Sequence, residues 1–166
     1  MAEKDKIAEE KVVHDGLFDM KDVYNFLYTF FVDNEYRIEE RVYKEKNIGG
    51  AKEIEINWLI KRKINDYFRF QIKADWRILK MTTVEVMKEG KKVVMNKGNL
   101  EIKFQAYLER DYENKWESSA FYKFLRSVYD EFIIKKTIKG YEEKIDGELN
   151  EVVNQLKSFL VLEGKR

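Results

Sequence analysis

The sequence predicts an α+β fold: an N-terminal helix, a four-stranded antiparallel meander with a small side hairpin, then one long or two consecutive C-terminal helices packed on one face of the sheet. Three observations predict it. Residues 20–33 carry apolar side chains at helical spacing, four segments between 36 and 109 alternate apolar and polar residues, and apolar residues return to helical spacing from about 117 to 163. At 166 residues, 44% hydrophobic and 14% aromatic, the chain can bury a sizeable core. One domain is expected over residues 15–166, with its helical part at about 117–163, behind a flexible tail of residues 1–14 in which charges outnumber large apolar groups.

The first helix is expected at Met20–Asp33. Asp19 is a good N-cap, Phe18 and Val23 can form a hydrophobic staple, and Val23, Phe26, Leu27, Phe30 and Phe31 make one apolar face. Tyr36–Lys46 reads as a charged edge strand and Asn47-Ile48-Gly49-Gly50 as a turn. Glu53–Ile64 places Ile54, Ile56, Trp58 and Ile60 on one face. After a turn at Asn65-Asp66, Tyr67–Leu79 does the same with Phe68, Phe70, Ile72, Ala74, Trp76 and Ile78. A side hairpin is expected between Thr83 and Val94 around Glu89-Gly90. The last strand, Asn99–Glu109, turns Leu100, Ile102, Phe104, Ala106 and Leu108 inward.

Asn114-Lys115-Trp116-Glu117 has capping-box spacing, and Phe121, Leu125, Val128 and Phe132 begin an apolar stripe that Ile138, Tyr141, Ile145, Leu149, Val152, Leu156 and Phe159 continue. A helix from Glu117 to Glu163 would span roughly 70 Å, against roughly 40 Å for a compact domain of this size. It must break or project. Gly140, after β-branched Thr137 and Ile138, is the expected break, with Gly147 second.

Composition narrows the function classes. Cysteine is absent, so disulfides, thiolate metal sites and cysteine nucleophiles are excluded, and proline is absent too. The charged N-terminus lacks the apolar core of a signal peptide. The longest apolar run, Val23–Val32, is half the roughly twenty residues of a membrane span, so a cytoplasmic protein is expected. Charge gives no partner: 32 Lys and Arg against 31 Asp and Glu leave a net +1.

No catalytic signature stands out, and neither a metal nor a cofactor is expected. His14, the single histidine, falls in the expected tail, where a solvated imidazole is the simpler reading than a triad member. The adjacent pairs Glu39-Glu40 and Glu142-Glu143 cannot converge on one ion. Ile48-Gly49-Gly50-Ala51-Lys52 lacks the phosphate-loop spacing and leads into a strand, so it reads as a hairpin turn. Asp75 could be a tuned acid beside Trp76, but pairing with Arg77 or Lys73 is simpler.

Two surfaces remain. The polar face of the sheet should carry Lys61, Lys63, Arg69, Lys73, Arg77 and Lys103 with Tyr107, a mixture that nucleic-acid-binding sheets use. Glu53, Glu55, Asp75, Glu101 and Glu109 share that face and nearly cancel the charge, so cross-strand ion pairing explains the pattern without a ligand. The last helix carries Ile145, Leu149, Val152, Leu156 and Phe159 at coiled-coil spacing for about two heptads, which suits packing on the sheet or a partner helix. Its acidic side, with Glu142, Glu143, Asp146, Glu148 and Glu151, opposes anionic lipid.

The segments Lys52-Glu53-Ile54-Glu55-Ile56-Asn57-Trp58, Ala74-Asp75-Trp76-Arg77-Ile78 and Asn114-Lys115-Trp116-Glu117-Ser118-Ser119 together resemble a family of uncharacterised archaeal proteins. The resemblance covers most of the chain and implies no activity. The leading expectation is a non-enzymatic interaction or assembly module. It would pair with a protein partner or with itself through Ile145, Leu149, Val152, Leu156 and Phe159. One alternative is a nucleic-acid- or ribosome-associated protein using the basic sheet residues. Another is a small-ligand binder or enzyme with a pocket between sheet and helices lined by Trp58, Trp76 and Phe104.

Overall fold

The computed structural model describes residues 3–113, 120–128, 131 and 135–164. Its elements in chain order are β1 (Glu3–Phe18), α1 (Met20–Asp33), β2 (Arg37–Ile48), β3 (Ala51–Lys63), β4 (Phe68–Lys88), β5 (Lys91–Arg110), α2 (Ala120–Val128) and α3 (Lys135–Gly164). The strands form one antiparallel sheet in the order β1-β5-β4-β3-β2. The expected four-stranded meander is therefore corrected to a five-stranded sheet that carries about half of the chain, with three helices among the described residues.

The fifth strand comes from residues 3–14, expected as a mobile tail. Glu, Lys and Asp are poor strand formers, so local propensity hides it. What decides the matter is the edge of β5, whose row of N–H and C=O groups needs partners. β1 pairs along that edge from Glu3↔Arg110 to Phe18↔Asn96, with one bulge at Ile7. Two of its acids are engaged: Arg110 donates to Glu3 at 2.8 Å and to Asp5 at 2.9 Å. Val12 and Phe18 are buried in the core.

The side hairpin is also corrected. β4 and β5 run on through Thr82–Lys88 and Lys91–Lys97 as one long ribbon, with a register shift between Leu79 and Thr82 instead of a break. Gly98 makes the shift possible, because a Cβ there would lie 2.9 Å from the Leu79 carbonyl oxygen. At about 3.3 Å per residue β4 reaches roughly 70 Å. This exceeds the roughly 45 Å of α3, and on the ribbon Met87 and Val94 are each 60% exposed.

α1 has the bounds the periodicity predicts. The Asp19 carboxylate caps it by accepting from the Asp22 N–H at 3.2 Å, and Val23, Leu27 and Phe31 are buried. The turn at Gly49-Gly50 holds both residues at positive φ, the conformation that a two-residue hairpin needs. Between β3 and β4 the Asn65 side chain accepts from the Tyr67 and Phe68 N–H groups, both at 2.8 Å.

The helical break is not at Gly140 or Gly147. α3 passes through both, and neither would bring a Cβ within 4 Å of a neighbour, so each costs only the intrinsic penalty of a helical glycine. The expected break at those glycines is therefore corrected: the helix is continuous from Lys135 to Gly164. α2 buries none of its residues, and Phe121 is 65% exposed. The capping spacing at 114–117 and Phe132 lie outside the described residues. Among the described residues no helix is long and apolar enough to cross a membrane.

One face of the sheet is the core. Ile56, Trp58 and Ile60 of β3, Phe70, Ile72 and Trp76 of β4 and Ile102, Phe104 and Leu108 of β5 are buried with α1 and with Ile145, Leu149, Val152, Leu156 and Leu160 of α3. The other face is polar.

Candidate functional site

The apolar seam of α3 belongs to the core. Ile145, Leu149, Val152 and Leu156 are fully buried, and Phe159 stacks on Phe26 at 4.9 Å between ring centroids. A partner cannot reach these side chains without displacing α3 from the sheet. The space expected to hold a small ligand is filled likewise: Trp58, Trp76 and Phe104 are buried, with the two indoles 5.0 Å apart. His14 lies in β1, half-buried, its Nε2 at 2.7 Å from the Leu17 carbonyl oxygen. Glu39 and Glu40 diverge: Glu39 meets Arg41, whereas Glu40 accepts from Tyr24 Oη at 3.0 Å and Trp58 Nε1 at 3.2 Å. No cluster of three metal-ligating side chains occurs among the described residues.

The polar sheet face gains most from the tertiary structure. Residues directly opposite in the ladder share a face. Through Lys4↔Glu109, Lys6↔Tyr107, Glu9↔Gln105 and Lys11↔Lys103, β1 adds three lysines and one glutamate to it. Through Arg37↔Lys61, Glu39↔Leu59, Lys44↔Glu55 and Lys46↔Glu53, with Arg41 at the bulge, β2 adds Arg37, Arg41, Lys44 and Lys46 against Glu39. The two edge strands thus bring seven cations and two carboxylates to a face that the three inner strands leave almost neutral.

The six cations expected from the sequence divide into two groups. Arg69 donates to Glu109 at 2.5 Å and lies over the Tyr112 ring, Lys103 meets Glu9 at 3.4 Å, and Lys63 meets Asp66 at 3.6 Å. Lys61, Lys73 and Arg77, with Lys4, Arg37, Lys44 and Lys46 from the edge strands, have no carboxylate within ion-pair distance among the described residues. Asp75 does not pair with Arg77 or Lys73 as expected. It sits opposite Asn57 and Lys103, and the Asn57 amide donates to it at 3.2 Å.

The unpaired cations concentrate at one end. Arg37 and Lys61 are direct cross-strand neighbours, an arrangement that like charges oppose. Beside them a hollow of about 380 Å³ is lined by Lys4, Arg41, Asn57, Lys61, Gln71, Lys73 and Asp75, with Trp58 and Leu59 as its apolar part. Lys4 and Lys73 both approach Tyr107, their Nζ atoms 4.4 and 5.4 Å from the ring centroid. Burial, and next the Lys73 ammonium, hold the Lys4 amine below the usual lysine range. Gln71 is 3% exposed, and with its amide nitrogen turned to Glu109 it bridges the cluster, donating to Glu109 at 2.8 Å and accepting from Lys4 at 2.7 Å. At the other end of the face a hollow of about 510 Å³ is balanced, with Lys44, Lys46, Arg77 and Lys103 facing Glu53, Glu55, Asp75 and Glu101.

Sequence reasoning found Lys61, Lys73 and Tyr107 but missed Lys4, Lys6, Lys11, Arg37, Arg41, Lys44 and Lys46. The signal that could have placed Lys4, Lys6 and Lys11 was the mixture of lysine and acidic residues through 3–11 around Ile7, Ala8 and Val12; for Arg37, Arg41, Lys44 and Lys46 it was the polar half of the expected edge strand.

No family model matches the chain, and no solved structure matches it. A protein of Fusobacterium nucleatum subsp. nucleatum named ribosomal protein L11 methyltransferase is similar to it, 27% identical over 150 residues that cover 88% of this chain and 45% of the relative. The chain spans less than half the length of that relative.

Proposed function

We propose that the protein binds single-stranded nucleic acid on the polar face of its sheet, chiefly by contact with backbone phosphates. The observation that carries this reading is the set of seven face cations without an ion-pair partner among the described residues, four of them, Lys4, Arg37, Lys61 and Lys73, at one end. A folded surface that needs charge only for solubility intersperses the two signs. Clustered lysines and arginines are an electrostatic footprint for phosphate. A protein partner is less well suited, because stable protein interfaces have an apolar centre, and the centre of this face holds Asn57, Lys73, Asp75 and Gln105 with Leu59 as a single apolar residue. Tyr107 offers one ring beside the cations, and the amides of Asn57, Gln71 and Gln105 offer hydrogen bonds. Methyl transfer, named in the Fusobacterium relative, is not part of this reading. Among the described residues no strand pairs in parallel, the arrangement that forms the nucleotide crevice of doubly wound sheets.

The test is fluorescence anisotropy with a short labelled single-stranded oligonucleotide. Binding is expected at about 50 mM salt and should weaken towards 200 mM, with a log–log slope of about −0.7 for each phosphate neutralised. Lys61→Glu with Lys73→Glu should abolish it, and Lys21→Glu on α1 should not. Absence of binding at low salt, or binding indifferent to the Lys61/Lys73 reversal, overturns the reading.

A further inference from the structure

The hollow at the basic end differs from the rest of the face in being concave and in gathering its cations around one point. Lys4 and Lys73 share one tyrosine ring, Lys61 stands across from them with Arg41, which is paired with Glu39, and the carboxylate among the lining residues is Asp75, whose Oδ1 accepts from Asn57 when that amide turns its nitrogen towards it. Glu109, which also acts on Lys4, is held by Arg69. Ammonium groups brought together in this way repel one another: the Lys4 amine is lowered first by burial and then by the Lys73 ammonium. A phosphodiester in a strand offers a single charge and passes on to the next residue. A phosphate monoester carries close to two charges near neutral pH and three strong acceptor oxygens, enough for three ammonium donors at once.

We propose that this hollow seats a phosphate monoester, the terminal phosphate of a nucleic-acid strand. The inference rests on the nucleic-acid reading and adds to it that one end of the strand is recognised. Lys4, Lys61 and Lys73 supply the charge-assisted hydrogen bonds, Arg41 and the Asn57 amide lie within the same lining, and Gln71 holds Lys4 in place. The Asp75 carboxylate limits the affinity, so Asp75→Asn should tighten the seat.

The experiment compares three probes on the intact protein: an oligonucleotide with a 5′-hydroxyl, the same strand with a 5′-phosphate, and adenosine monophosphate alone. A 3′-phosphorylated strand is included to distinguish the two ends. A phosphate at one end should tighten binding about tenfold. Lys4→Gln with Lys73→Gln should remove that preference, Lys44→Gln with Lys46→Gln should weaken all strands equally, and thermal melts should show both pairs folded. If every strand binds alike and the monophosphate does not bind, the seat is overturned while the nucleic-acid reading stands. If the monophosphate binds through Lys4 and Lys73 but no strand does, the nucleic-acid reading falls and the hollow is a mononucleotide site, which overturns strand-end recognition. Binding by none of the probes overturns both.

Discussion

The Arg62 guanidinium and the Glu148 carboxylate meet at 3.0 Å and join the end of β3 to the middle of α3. The same guanidinium donates to the Asn34 carbonyl oxygen at 3.0 Å and lies over the Tyr36 ring, while the Tyr36 hydroxyl donates to the second oxygen of Glu148. Four segments, the end of α1, the start of β2, the end of β3 and α3, are tied at one point. Both charged side chains are largely buried, so they are valuable only as a pair. Arg62→Met, which strands the Glu148 charge, should cost about 3 kcal/mol in urea unfolding. Glu148→Gln keeps an acceptor for Tyr36 and should cost about 1 kcal/mol. Small and equal losses would show that the pair is not a clamp.

Leu149 lies at the centre of the seam on α3 and is fully buried. Leu149→Ala should destabilise the protein by about 2–5 kcal/mol and leave its sedimentation coefficient unchanged. A change of assembly state without loss of stability would mean that the seam faces a partner.

Two glycines should respond with opposite signs. At Gly98 a Cβ would meet the Leu79 carbonyl oxygen at 2.9 Å and backbone of Lys80 and Met81, so Gly98→Ala should lower stability by about 1–3 kcal/mol. At Gly140 the Cβ enters open space within a helix, and Gly140→Ala should raise stability by up to about 1 kcal/mol. Thermal unfolding of the two variants checks both signs.

Alkaline pH should loosen the fold through its tyrosines. Burial, and next the hydrogen bond to Glu40, raise the Tyr24 phenol from 10.0 to about 12. Tyr36 is raised in the same sense by burial and Glu148. The unfolded phenols ionise first, so this contribution is complete below about pH 10 and is lost as the pH rises towards 12. Urea midpoints should fall across that window, and Tyr24→Phe should reduce the slope. An unchanged slope would mean that Tyr24 is not held by Glu40.

The pattern of single segments carried a good deal of this structure. Alternation in β3, β4 and β5 marks the side chains that become the core, because a strand with one buried face must repeat every second residue. The spacing in α1 likewise gives its bounds and its cap. The long ribbon of β4 and β5 was harder to see, since Lys80 and Met81 interrupt the alternation and look like a loop. In the structure they are a register shift, with Gly98 leaving room beneath.

The candidate site was only partly legible, for a different reason. Lys61, Lys73 and Tyr107 could be assigned to one face from their own strands. The charge of that face depends on which strands flank it, and β1 reaches β5 from the other end of the chain. Read locally, Lys4 and Lys6 are residues of a charged tail and the sheet face is neutral. Paired with β5, they make it basic and crowd Lys4 against Lys73. The sequence by itself determined the alternation, the capped helix and the identity of most core residues, because each is fixed by near neighbours. Tertiary structure alone decided the fifth strand, the burial of the α3 seam and the gathering of unpaired lysines, because these follow from pairings between segments far apart in the chain.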